Sequence, residues 1–301
     1  MRRKITAILM ALAMTASLAA CGSSEQAAAP AASSAAASAA SSEASTPTGV
    51  EDGVLTVAME CAYAPYNWAQ PDDANGAVPI VNSDSGEYAN GYDVMMAKKL
   101  CEANGWELEV MRLDWDSLVP AVQTGQVDAV IAGQSMTAER AEQVDFAGPY
   151  LYASIVCLTK ADSALASATG ISQLSGTCTS QRGTIWYDSC LPQIAGADIQ
   201  PAQDTAPAML MALETGAVDF VCTDMPTGQG ALVAYNDLVL LDFAGSGDDF
   251  EVSDEDVNIG ISVRKGNTEL KEALDSVLSG MTADDFNAMM ADAIAIQPID
   301  G

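Results

Sequence analysis

The chain has 301 residues, 49% of them hydrophobic, with 41 Asp and Glu against 12 Lys and Arg, no His and seven Cys. So acidic a surface repels phosphate backbones and anionic headgroups, which argues against nucleic acid or an adsorbed membrane surface as partners. The lack of His removes the commonest general base and zinc ligand, and no CxxC or other zinc-like spacing joins the cysteines; neither a cofactor nor a metal is expected.

In chain order, Met1-Arg2-Arg3-Lys4, the apolar run from Ile5 to Ala20 and Leu18-Ala19-Ala20-Cys21 have the layout of a signal peptide over 1–20. Leu-Ala-Ala-Cys resembles the lipobox of bacterial lipoproteins, which implies lipidation at Cys21, export, and a membrane held through the lipid alone. An ordinary cleaved signal with a Cys at the next position is the alternative. Removal of the three basic residues in this leader takes the net charge from −29 to −32. Residues 21–49 are almost wholly Ala, Ser, Pro, Gly, Thr, Glu and Gln, the composition of a disordered tether.

From Val50 the pattern is globular. Strands are predicted over 54–59, 107–113 and 127–132, with helices over 92–104 and 117–124 between them. A second series places strands at 155–159, near 177–179 and at 218–222, with helices near 171–174, 206–215 and 228–235. A strand at 259–263 and helices over 269–280 and 284–295 close the chain. This alternation indicates an α/β fold with largely parallel sheets. Ala121–Val130 and Ala212–Val221 echo each other, each a helix end, a Gly stop and a strand opening on Val-Asp, so two similar lobes are expected. Cys157 and Cys222 fall in apolar strands and are expected as small buried hydrophobes. A Cys178–Cys190 disulfide is left open, because spacing cannot show how closely the two approach.

Several motifs stand in order along this region: Glu60-Cys61-Ala62-Tyr63-Ala64-Pro65-Tyr66, Gly91-Tyr92-Asp93-Val94, Asp114-Trp115-Asp116-Ser117-Leu118, Met136-Thr137-Ala138-Glu139-Arg140, Gln181-Arg182-Gly183-Thr184, Val218 to Asp224, and Gly260 to Gly266. Over roughly 50–301 they resemble the extracellular solute-binding proteins of polar amino-acid ABC importers. The resemblance implies a two-lobed type II periplasmic-binding-protein fold. Lobe 1 would be 50–152 plus 260–301 and lobe 2 would be 153–259, with two crossover hinge strands near 150–154 and 257–259 and a ligand cleft between. It also implies a non-enzymatic monomer that gives a free amino acid to a permease.

The resemblance assigns roles residue by residue. Arg140 matches the arginine that binds the ligand carboxylate, a task its planar fork suits, and Thr137 is the expected N-cap of its helix. Asp224 matches the acid for the ligand ammonium. Ala132, at the end of its strand, and Gly133 and Ser135 after it are matched to the ligand site, the last two as positions offering backbone and hydroxyl groups. Tyr63 and Trp115 match aromatics flanking the ligand side chain. Glu60 stands where relatives often carry Asp, and Gln181, Arg182, Thr184 and Ile185 line a lobe-2 loop. Arg182 departs from the pattern, and together with Glu60 it leaves the side-chain preference open. The polar segment 69–90 is a second departure, expected as a loop or hairpin near the cleft mouth without a regular calcium loop. Two other functions share these residues: dehydration of an amino-acid-like acid, with Glu60 or Asp224 as general acid, and ligand sensing for a membrane receptor.

Overall fold

The computed structural model describes residues 50–298. The expected signal peptide, Cys21 and the tether lie outside the described residues. Among the described residues no helix is long and apolar enough to cross a membrane.

The chain opens with β1 (Val54–Met59), in which Leu55, Val57, Ala58 and Met59 are fully buried. The Leu, Val and Met side chains among them each contribute about 1.5–3 kcal/mol of burial. Four short strands follow: β2 (Ala62–Tyr63), β3 (Asn67–Gln70), β4 (Val78–Pro79) and β5 (Tyr88–Asn90). Then come α1 (Tyr92–Asn104), β6 (Glu107–Arg112), α2 (Trp115–Thr124), β7 (Ala129–Val130), α3 (Ala138–Ala141), β8 (Val144–Tyr152) and β9 (Ile155–Lys160). The middle of the chain supplies β10 (Ser175–Thr179), β11 (Gly196–Ile199), α4 (Ala206–Glu214), β12 (Phe220–Asp224), α5 (Met225–Ala234) and β13 (Leu238–Leu241). It ends with α6 (Asp254–Val257), β14 (Asn258–Arg264), α7 (Thr268–Leu278) and α8 (Ala283–Ile296).

Two five-stranded sheets carry these elements, in the orders β6-β1-β7-β14-β8 and β11-β10-β12-β9-β13. The pairings run four strands of each sheet one way and reverse one, β14 in the first and β9 in the second. The reversed strand is in each case the first one laid down after the chain passes from one sheet to the other. It sits inside the sheet, so each passage is locked by two ladders. The bodies built on these sheets are lobes 1 and 2 below. The sequence echo corresponds to the same turn in each lobe: Gly125 and Gly216 follow α2 and α4 with φ of 75° and 72°, the left-handed region that glycine enters without a side-chain penalty.

Some elements differ from expectation. The 171–174 helix is a single 3₁₀ turn, Ile171–Gln173. The helix expected from 228 starts at Met225, because Asp224 accepts from the Thr227 N–H at 2.9 Å and caps it. The 69–90 segment is neither a plain loop nor a single hairpin. It completes a four-stranded antiparallel sheet, β2-β3-β5-β4, joined to the edge of β6 where Val81 donates to the Val110 carbonyl at 2.9 Å and Arg112 pairs with Glu87 at 2.9 Å. The six cysteines of the described region are free and buried, Cys178 and Cys190 among them. Cys157 and Cys222 lie opposite each other across β9 and β12.

Candidate ligand site

The site is assembled where strand ends of both lobes meet. Thr137 accepts from the Arg140 N–H at 3.3 Å and caps α3 as expected. That fixes Arg140 at the lobe-1 rim, half-buried. Its guanidinium donates to the Ser135 carbonyl at 3.0 Å and, across the cleft, to the Gly183 carbonyl at 2.8 Å. It also lies 5.3 Å from the centre of the Trp115 ring, within cation–π range. Of five guanidinium donors only two are so engaged among the described residues, which leaves enough for a bidentate carboxylate. Burial lowers its pKa to about 10, so it stays charged at neutral pH.

A cavity of only about 10 Å³ is lined by Tyr63, Trp115, Gly133, Ser135, Arg140, Gln181, Thr184 and Trp186. That is room for about one water, far below the roughly 300–1,000 Å³ of small-ligand pockets, so a solute needs the lobes to part. Gly133 has φ 64°, and a Cβ there would stand 2.7 Å from the Tyr63 ring and 3.1 Å from Tyr66. Its N–H donates to the Tyr150 hydroxyl at 2.9 Å, and that hydroxyl donates to Asp93 at 2.7 Å. Asn67 donates to the other Asp93 oxygen at 2.7 Å. Burial pushes Asp93 up to about 6 despite these donors. The Gly133 N–H is therefore committed inside lobe 1, and its carbonyl is the backbone group left for a ligand.

Asp224 ends β12 at 2% exposure, beneath the tyrosines. The Tyr63 and Tyr66 hydroxyls donate to its Oδ2 at 3.1 and 2.8 Å. Burial raises its pKa, and the Thr227 and tyrosine donors work against that rise.

Glu60 lies beyond Trp115, in an adjoining mouth walled by Asp114, Asp116, Arg182, Asp204 and Thr205. It is 6% exposed, and its partner is the Gln181 amide at 3.3 and 3.4 Å, both long. Burial first, then Asp114 and Asp116, push it up to about 7. Arg182 bridges the rim acids, paired with Asp204 and 3.8 Å from Asp116.

Seven of the expected residues thus line one cavity, Glu60 the mouth beside it and Asp224 the floor behind the tyrosines. Ala132 sits in the hydrophobic core, whereas Ile185 packs on that core and lines a neighbouring part of the cleft with Arg140 and Thr184. Sequence reasoning missed Trp186, which tilts against Tyr63 at 6.2 Å, and Tyr66, whose place in the quoted motif gave no hint of its hydroxyl's partner. Thr227 was missed too, although an acid followed by Pro and Thr is a helix-start signal. Among the described residues no group of three or more Cys, Asp or Glu is placed to hold a metal ion.

Two lobes closing on a small polar cavity with a cation at its rim define a solute-binding protein. Residues 55–292 match the bacterial extracellular solute-binding proteins, family 3, and the chain belongs to that family. It is 30% identical over 167 residues to the arginine-binding extracellular protein ArtP of Bacillus subtilis, a match covering 55% of this chain and 51%, about half, of that protein. The substrate-binding protein AbpA of an amino acid ABC transporter of Streptococcus pneumoniae, solved with L-arginine, superposes with a TM-score of 0.66. It has 24% identity, with 81% of this chain and 95% of that one covered. An ancestral amino acid-binding protein, a precursor of cyclohexadienyl dehydratase, gives 0.64 at 25% identity over 81% of this chain and 96% of that one.

Proposed function

We propose that the chain captures a free amino acid, with its carboxylate on Arg140 and its ammonium on Asp224, and gives it to the permease of an ABC importer. The observation that carries this reading is a cation at the rim of a cavity that closes between two lobes, with a buried acid behind Tyr63, which walls that cavity. We take the lobes as 50–152 plus 260–301 and 153–259, a division supported by the strand order. Export and lipid anchoring at Cys21 to the outer face of the cytoplasmic membrane, with the protein a monomer on its tether, complete the proposal. They rest on the leader sequence.

The side chain of the ligand is proposed to be cationic. Glu60 is a buried carboxyl without an ion-pair partner among the described residues, in a mouth shared with Asp114, Asp116, Asp204 and Arg182, and a ligand cation would offset its buried charge. Proteins similar to this chain that bind arginine support the same class. Calorimetry of ligand-stripped protein against the twenty amino acids tests the reading. Saturable binding at about micromolar affinity, strongest for arginine or lysine, is expected. No binding across the panel sinks it.

Dehydration of an amino-acid-like acid is a second reading, favoured by one observation: Glu60 titrates near neutrality, where a general acid works best. Turnover of such acids by the purified protein decides between the two.

A further inference from the structure

Tyr66 is fully buried between β2 and β3 and is held from every side. Its carbonyl accepts from the Asp93 N–H at 2.8 Å at the start of α1. Its ring stacks on Tyr63, centroids 4.6 Å apart, and meets the edge of Tyr92 at 6.2 Å. From this fixed place in lobe 1 its hydroxyl crosses to the lobe-2 carboxylate of Asp224 at 2.8 Å. Tyr63 makes the same crossing at 3.1 Å and also accepts from the Thr227 hydroxyl at 3.2 Å. The two hydroxyls are not equivalent. Tyr63 lines the cavity, while Tyr66 and Asp224 stand behind it, so a ligand that displaces Tyr63 reaches the carboxylate with the Tyr66 hydroxyl still on it.

We propose that Tyr66 is a positioning residue of the ligand site. Its hydroxyl holds the Asp224 carboxylate ionised and aimed at the ligand ammonium, so lobe closure and ammonium capture are one event. The inference rests on the reading that Asp224 takes the ammonium. A carboxylate buried in low dielectric tends to take up a proton unless donors or cations hold its charge. The groups facing Asp224 are the Thr227 N–H and hydroxyl on α5, the hydroxyls of Tyr63 and Tyr66 from lobe 1, and, as a like charge, Asp93 in the first turn of α1. No Lys or Arg pairs with it among the described residues. Closure brings the Tyr66 donor, and opening withdraws it.

The test uses Tyr66→Phe, which keeps the ring and its stacking, and two probes: L-arginine and 5-guanidinopentanoate, the same molecule without its ammonium. Calorimetry runs from pH 5 to 8, with a melting curve to check the fold. The variant is expected to weaken arginine roughly tenfold or more at pH 7, the scale of a hydrogen bond to a charged group. The loss grows toward pH 5, as the unsupported Asp224 takes up a proton. 5-Guanidinopentanoate is expected to bind wild type and variant within about twofold, since a hydroxyl acting only through the ammonium does not affect it. In an Asp224→Asn background Tyr66→Phe is expected to be silent toward both probes, as a two-residue unit requires. Equal losses for both probes, or an unchanged arginine affinity and pH profile, overturn the inference while leaving the ammonium reading intact. Wild-type protein that does not prefer arginine to its deaminated analogue overturns both.

Discussion

Glu60 at the mouth and Asp224 at the floor of the cleft are both carboxyls with under a tenth of their surface exposed, and the fold surrounds them differently. Asp224 caps a helix and receives two tyrosine hydroxyls and the Thr227 groups. Glu60 receives a stretched contact from one amide and faces other acids. Burial raises the pKa of both, so the difference lies in compensation. The floor acid is compensated by the protein itself, which suits a group needed for every amino acid. On the proposed reading the mouth acid is left for the ligand to compensate, which would suit a group that chooses among them.

The largest expected effect removes the element both regions share. Arg140→Ala takes away the carboxylate anchor and strands the ligand's charge, a cost of about 3–5 kcal/mol. Calorimetry is expected to show affinity weakened by roughly a hundredfold to several thousandfold. Near-native binding shows that mouth and floor do not serve one amino acid.

Glu60→Gln sharpens the comparison. It is expected to weaken arginine roughly ten- to hundredfold, the range for hydrogen bonds to charged groups, while citrulline, the neutral isostere, changes little. In the free protein Glu60 loses its proton near pH 7, and a cationic side chain binds only the ionised form. Arginine affinity is therefore expected to rise from pH 6 to 8 and then level off, and Glu60→Gln to flatten that rise. Similar losses for arginine and citrulline undo the division of labour.

A smaller effect is expected at the cavity wall. Gly133→Ala forces a side chain into the left-handed region and against Tyr63, costing about 1–3 kcal/mol of stability in a melting experiment. It displaces the aromatic that separates cavity from floor. A variant with unchanged melting and affinity shows that Tyr63 yields freely. The smallest effect is Thr137→Ala, which removes the cap beneath Arg140 at about 1 kcal/mol. A several-fold loss of affinity without a change in the arginine-to-citrulline ratio is expected, and a changed ratio places Thr137 in specificity instead.

The alternation of strands and helices, the glycine stops and the order of motifs were legible because each is local, set by periodicity or by a turn within a few residues. The site was legible where the motif itself carries the charge, as at Arg140, Asp224 and Glu60. Tyr66 was not, because its partner lies 158 positions away and a buried tyrosine reads like any core aromatic. The core position of Ala132 was hidden for a related reason. It neighbours Gly133, which faces the cavity, and spacing alone does not say which way a side chain past a strand end turns. The strands β11 and β13 were missed as short edge pieces, whose register is set by β10 and β9 rather than by their own pattern.

Two of the four tryptophans of the chain, Trp115 and Trp186, line the cavity from opposite lobes, one beneath a guanidinium and the other against a tyrosine. Indole emission depends on the charges and rings within a few ångströms. The molecule thus carries a built-in optical gauge at the place where a solute arrives, and unlabelled protein is expected to change colour and brightness of fluorescence as the cleft fills.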